Sequence, residues 1–113
     1  MITAIVLYEL PPAIGLEECR AHFTGIAADF MNVPGFLRKQ FICSSDGRTA
    51  GGVYMWENQA AAERFYAGPW LNGIMERYGN APEIRYFETV ALADKASGYA
   101  GALDADAAVA APA

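Results

Sequence analysis

The residues best suited to chemistry lie in one stretch, Pro34 to Glu57, PGFLRKQFICSSDGRTAGGVYMWE. Two extended runs, Phe36 to Ser44 and Thr49 to Glu57, flank Ser45-Asp46-Gly47-Arg48. Asp-Gly between runs of aromatic and branched residues predicts a hairpin, because Gly47 tolerates the positive φ of such a turn. With Asp46 and Gly47 as the loop, counting outward sets Leu37 opposite Trp56, Lys39 opposite Tyr54 and Phe41 opposite Gly52, all on one side of the ribbon. An amine held beside a phenol favours the phenolate, on the protein or on a ligand, and such a pair can move protons. The other reading of Lys39 is a stem packed on the sheet with its ammonium in solvent. Trp56 offers an indole face to a flat ring and an N–H to an oxygen, or it is core. Gly51 and Gly52 weaken a strand, so they predict a bulge or a close contact. A flat ring over Gly52, beside Tyr54 and Trp56, is the functional form of that contact.

Further candidates lie outside the hairpin. His22 is the chain's one histidine, and its ordinary pKa suits proton transfer near neutrality. It sits beside the apolar arc of a helix, so it either transfers protons or is solvated. Phe23 lies on that arc. Asn58 could orient a substrate oxygen or cap the next helix. Tyr66, Trp70 and Tyr78 bring amphipathic aromatics that could form a pocket rim or fill the core. Arg38 points to the other side of the ribbon, where it could pair with a carboxylate such as Glu88 or bind an anion; Arg85 shares that ambiguity. Cys19 and Cys43 are far apart in the chain and in no cluster with metal-ligand spacing. They read as buried, reduced thiols of a cytoplasmic protein, and no metal site is expected.

The elements that must position these groups follow from punctuation and periodicity. Ile2 to Glu9 reads as a strand ended by Pro11-Pro12. Apolar spacing predicts a helix from about Leu16 to Met31, broken by Asn32-Val33-Pro34-Gly35. After the hairpin, Asn58 precedes a helix starting at Gln59. Gly68-Pro69 interrupts it, and a short continuation runs to Gly79. Pro82 to Val90 reads as the last strand. The order is α+β, a ferredoxin-like βαββαβ fold with a four-stranded antiparallel sheet and two helices on one face. Residues 1–93 form this domain, and 94–113 read as an alanine-rich tail, flexible or draped over a partner. The hairpin is apolar on both sides, so the second sheet face needs cover, and an identical subunit is the simplest source.

With 113 residues, 54% hydrophobic and 19% charged, the chain can bury one real core. A net charge of −5 and a pI near 4.7, with no basic stripe, argue against nucleic acid and anionic membranes as partners. No apolar run approaches the ~18 residues of a membrane span. Met1 leads straight into the first strand, so no leader is expected. Rossmann, P-loop and nucleophile-elbow patterns are missing.

PGFLRKQF, then DGRTAGGVYMWEN, then AAERFY, resembles the YdhR-like monooxygenases of the dimeric α+β barrel superfamily, alongside the antibiotic-biosynthesis monooxygenases. The similarity is strongest from Val33 to Tyr66 and extends to Phe87. It implies two sheets back to back from two subunits, with a pocket between sheet and helices in each. It also implies a reaction without metal, flavin or other cofactor, in which an electron-rich phenol becomes a carbanion-like phenolate and meets oxygen directly. By the same resemblance, Trp56 stands where relatives often carry tryptophan at the end of the third strand, and asparagines near Asn58 act in some relatives. Haem-degrading relatives carry a histidine on the second helix. Here AAERFYAG has none, leaving only a tyrosinate at Tyr66. The reading is a cytoplasmic, homodimeric, cofactor-independent monooxygenase for a phenolic, aromatic or polyketide-like small molecule. Trp56 and Tyr54 form its stacking wall, Lys39 or His22 handles the proton, and Tyr66 and Trp70 close the mouth. A proton-transfer cyclase or isomerase of the same fold, or a non-catalytic ligand-binding or scaffold dimer, are the alternatives.

Overall fold

The computed structural model describes residues 1–103. Its sheet takes the antiparallel order β2-β3-β1-β4, built from β1 (Ile2–Glu9), β2 (Phe36–Cys43), β3 (Thr49–Trp56) and β4 (Glu83–Glu88). Helix α1 (Leu16–Ile26) connects β1 to β2, and α2 (Gln59–Phe65) with α3 (Pro69–Tyr78) connects β3 to β4. This is the α+β, ferredoxin-like arrangement expected from the order of elements. Ala4, Val6, Tyr54, Trp56 and Cys19 are among the buried residues of the core between sheet and helices.

Local chemistry explains the boundaries that matter for the site. The Gly15 N–H donates to Glu18 Oε1 at 2.9 Å, closing the start of α1. The helix expected to reach Met31 stops at Ile26 and tightens into a 3₁₀ segment, Ala27–Asn32. Val33 must be extended before Pro34, and the tighter turn satisfies the last carbonyls while burying Phe30 against β2. Asn58 caps α2, its Oδ1 accepting from the Ala61 N–H at 2.9 Å. Gly68 breaks the helical run with φ 58°, and Pro69 opens α3.

The hairpin register places Lys39 opposite Tyr54 and Phe41 opposite Gly52, as expected. The loop is Ser45 to Arg48 rather than Asp46-Gly47 alone, closed by the Ser44 N–H donating to the Thr49 carbonyl at 2.7 Å. One pairing differs. Phe36, not Leu37, lies opposite Trp56, because the ladder shifts between Phe36 and Arg38. A bulge sends two successive residues toward one side, and Leu37 joins Arg38 on the sheet face away from the helices.

The alanine-rich composition predicts a structureless or partner-draped tail from residue 94. Through Leu103 the chain instead forms a second hairpin, β5 (Ala91–Asp94) and β6 (Tyr99–Ala102). Its turn is fixed by Gly98 at φ 78°, whose N–H donates to the Asp94 carbonyl at 2.9 Å. Asp94 also meets Arg38 at 3.7 Å, with the arginine side chain 47% exposed. Arg38 thus has its carboxylate partner within the chain, on Asp94 rather than Glu88. The rest of the expected tail, 104–113, lies outside the described residues.

Candidate active site

The side chain of Lys39 leaves β2 toward the helices and runs across the neighbouring strand at Gly52. A Cβ on Gly52 would stand 2.6 Å from Lys39 Cε and 2.9 Å from Tyr54 Cε1. Glycine is therefore the residue that leaves a channel for the lysine stem, and the close contact foreseen at the paired glycines is with Lys39 rather than with a ligand ring. The bulge is elsewhere, at Leu37.

The channel delivers the amine into an aromatic cage. Lys39 Nζ lies 3.8 Å from the ring centre of Phe41, 4.2 Å from that of Phe30 and 4.4 Å from that of Tyr54. Among the described residues no carboxylate lies within ion-pair distance of it. Ring faces attract a cation, yet they replace water far less well than a carboxylate would. Burial wins, lowering the Lys39 pKa from 10.5 to about 7. Close to half of the side chain is then a neutral amine at pH 7, and so a base.

Beside the amine opens a cavity of about 290 Å³. It brings together Lys39, Tyr54, His22, Phe23, Trp70 and Tyr78 of the residues singled out from sequence, and adds Tyr8, Phe30 and Arg77. His22 is held below its ordinary pKa, first by burial and then by the charges of Arg77 and Lys39. It too is mainly neutral at pH 7. Burial pushes the phenols of Tyr54 and Tyr8 well above their usual range, so both remain hydrogen-bond donors rather than anions. Arg77, its Nε–H donating to Tyr78 Oη at 3.2 Å, is then the wall's permanent cation, suited to an anionic oxygen. Its signal was present in the sequence: Trp70, Ile74, Arg77 and Tyr78 follow helical spacing along one stripe of α3.

Four candidates take no part in lining this cavity. Trp56 is fully buried; its Nε1–H donates to Tyr66 Oη at 3.1 Å, and its ring lies stacked near Tyr54 at 5.9 Å. Tyr66 is consumed as that acceptor, Asn58 as a helix cap, and Gly52 as the lysine channel. The space beside Trp56 is filled by Phe36, Phe65 and Tyr66, so the opening lies past Tyr54 instead. Tyr66→Phe should leave a buried indole N–H without an acceptor, lowering stability by about 1–3 kcal/mol in urea unfolding. Cys19 and Cys43, distant in sequence, meet between α1 and β2; both are free thiols, but only Cys19 is buried as expected, Cys43 being partly exposed at β2. Burial pushes the Cys19 thiol up, and hydrogen bonding to Cys43 adds to that.

Comparison with known proteins agrees with this architecture. The family described as "Putative mono-oxygenase ydhR" matches residues 10–89. A monooxygenase from the gene ActVA-Orf6 of Streptomyces coelicolor, solved with Nanaomycin D, is 22% identical over 76% of this chain and 84% of its own, with a TM-score of 0.56. The heme-degrader MhuD of Mycobacterium tuberculosis, solved with two hemes in its active site, is 25% identical over 80% of this chain and 96% of its own, with a TM-score of 0.57. No curated protein matches. A haem held from the second helical region does not fit the donors here, since that stretch has no histidine and the Tyr66 oxygen is already bound by Trp56. The described residues also hold no group of three or more metal-ligating side chains, and no described helix is long and apolar enough to cross a membrane. On the family match, which takes in the α1, hairpin and α3 residues of the cavity, the chain belongs to the ydhR mono-oxygenase family.

Proposed function

We propose that this chain is a cofactor-independent monooxygenase for a phenolic, aromatic or polyketide-like small molecule, acting as a cytoplasmic homodimer. The observation that carries the reading is the amine of Lys39, held over three ring faces at the wall of an aromatic cavity, where burial lowers its pKa to about 7. A flat phenol entering beside Tyr54 and Trp70 gives its proton to Lys39. The phenolate oxygen turns toward Arg77, and the electron-rich ring carbon delivers electrons to oxygen. At the unsubstituted ring carbon para to the phenol, one oxygen molecule converts C–H to a quinone carbonyl, the second oxygen atom leaving as water with that hydrogen and the phenolic proton. His22 is the second base, placed to pass the proton outward.

The test is oxygen uptake with a panel of anthrones and hydroquinones. Stoichiometric uptake with quinone formation supports the reading. Equal turnover without oxygen would replace it by proton-transfer catalysis of the cyclase or isomerase kind, for which the same base suffices. Binding without turnover would leave the ligand-binding dimer.

The dimer part rests on the sheet face away from the helices. There Ile5, Leu7 and Val53 are only half-buried and Phe87 is 41% exposed, while the β5–β6 hairpin covers the region around Arg38 and Met55. Such a surface favours pairing with a second copy. Sedimentation equilibrium should give twice the chain mass at micromolar concentration; a monomer there would remove this part alone.

A further inference from the structure

We infer that Lys39 is also a carbonyl-capturing residue, forming an imine with small, flat aromatic aldehydes that enter the cavity beside it. This goes beyond the oxygenase reading, since it needs neither oxygen nor a phenol. Four observations converge on it. The amine lines a cavity of about 290 Å³, large enough for a one- or two-ring aldehyde. Around Nζ stand the faces of Phe30, Phe41 and Tyr54, which would sandwich or edge an aromatic ring once it arrives. Among the described residues no carboxylate pins the nitrogen as a cation. Gly52, bare of a side chain, lets the lysine stem lie across the strand and reach the cavity. Lysines desolvated in such pockets are the ones that act as nucleophiles. The lowered Lys39 pKa agrees with this but is not needed for the placement.

The step balances without an outside reagent. The nitrogen lone pair attacks the carbonyl carbon, forming a C–N bond while the carbonyl oxygen takes a proton. The resulting carbinolamine loses that oxygen as water, the two amine hydrogens leaving with it, and a C=N bond remains. His22 at the cavity wall can carry the proton between nitrogen and oxygen.

The chain supplies its own control, because its two lysines are Lys39 and Lys95, and Lys95 is exposed on the β5–β6 turn. The full chain is incubated at pH 7 with 2-naphthaldehyde and cyanoborohydride, which reduces an imine to a stable secondary amine, and the product is peptide-mapped by mass spectrometry. The cavity holds the aldehyde beside the Lys39 amine, so labelling at Lys39 should exceed labelling at the exposed Lys95 by at least about tenfold. Lys39→Met, with its circular dichroism checked for folding, should lose that adduct and keep the slow one at Lys95. Labelling of Lys95 as fast as Lys39 in the parent chain overturns the inference. Its failure is separable from that of the oxygenase reading: absence of the adduct alongside oxygen-dependent turnover rejects imine capture only, and the adduct without oxygen uptake rejects the oxygenase only.

Discussion

Lys39→Met should lower turnover of a phenolic substrate by roughly 10²–10⁴-fold, the usual contribution of a positioned base, and should at the same time stabilise the fold. The two effects share one cause. A lysine whose folded pKa is about 7 against an ordinary 10.5 binds fewer protons folded than unfolded between those values. The parent's stability therefore rises with pH across that window and is lowest below pH 7, where the full burden of a buried charge is present. Methionine keeps the stem and carries no charge, so the variant should unfold at higher urea near pH 7, with the difference shrinking toward pH 10.5. Lys39→Arg should not restore turnover, because guanidinium stays protonated throughout. The titrating or charged groups facing the amine are His22 from α1, Arg77 and Tyr78 from α3, Tyr54 from β3 and Tyr8 from β1. Only His22 has an ordinary pKa near neutrality, and its shift is downward. Turnover should thus climb as pH rises through about 7, and His22→Gln should leave that limb in place. A variant Lys39→Met with undiminished turnover would remove the base from the mechanism.

Gly51→Ala and Gly52→Ala should separate stability from activity at adjacent positions. On Gly51 a Cβ would strike the Val6 carbonyl oxygen 1.8 Å away, on the backbone of the paired strand. Backbone cannot step aside, so the β1–β3 ladder must open locally, with a loss of about 1–3 kcal/mol or more. On Gly52 the nearest atoms are Tyr54 Cε1 at 2.9 Å, on a ring that must shift slightly, and Lys39 Cε at 2.6 Å, the far end of a flexible side chain, which can move. That movement takes the amine out of its cage. Gly52→Ala should therefore lose less stability than Gly51→Ala, yet lower turnover at least about tenfold as Lys39 returns toward solvent and toward its ordinary pKa. Urea unfolding together with turnover per folded molecule checks both. The reverse pattern would show that the channel at Gly52 is not what places the amine.

Much of this was legible in the sequence. Counting outward from Asp46-Gly47 set Lys39 against Tyr54 and Phe41 against Gly52. The chain turns over the four residues Ser45 to Arg48 rather than two, and one added on each side keeps the same register. Local turn chemistry was sufficient there because period-two alternation carries one anchored pair along the ribbon. It failed at Leu37, since a bulge depends on how the far end of the strand meets Phe30 and Trp56 rather than on any local signal. Trp56 read as a stacking wall because an indole suits both core and ligand. Only the packed structure shows its N–H already bound by Tyr66. The lysine's cage was hidden for a similar reason. Phe30 reaches it through a 3₁₀ turn that apolar periodicity extends as ordinary helix. The β5–β6 hairpin was masked by alanine-rich composition, its turn marked only by Ser97-Gly98.

The claim on which the rest depends is that Lys39 loses its proton near neutral pH. Chain labelled with ¹³C at lysine Cε has two such signals, from Lys39 and Lys95, and Lys95→Arg assigns them. Following the Lys39 signal against pH should give a midpoint near 7. A midpoint above about 10, the value of a lysine in water, would contradict the account.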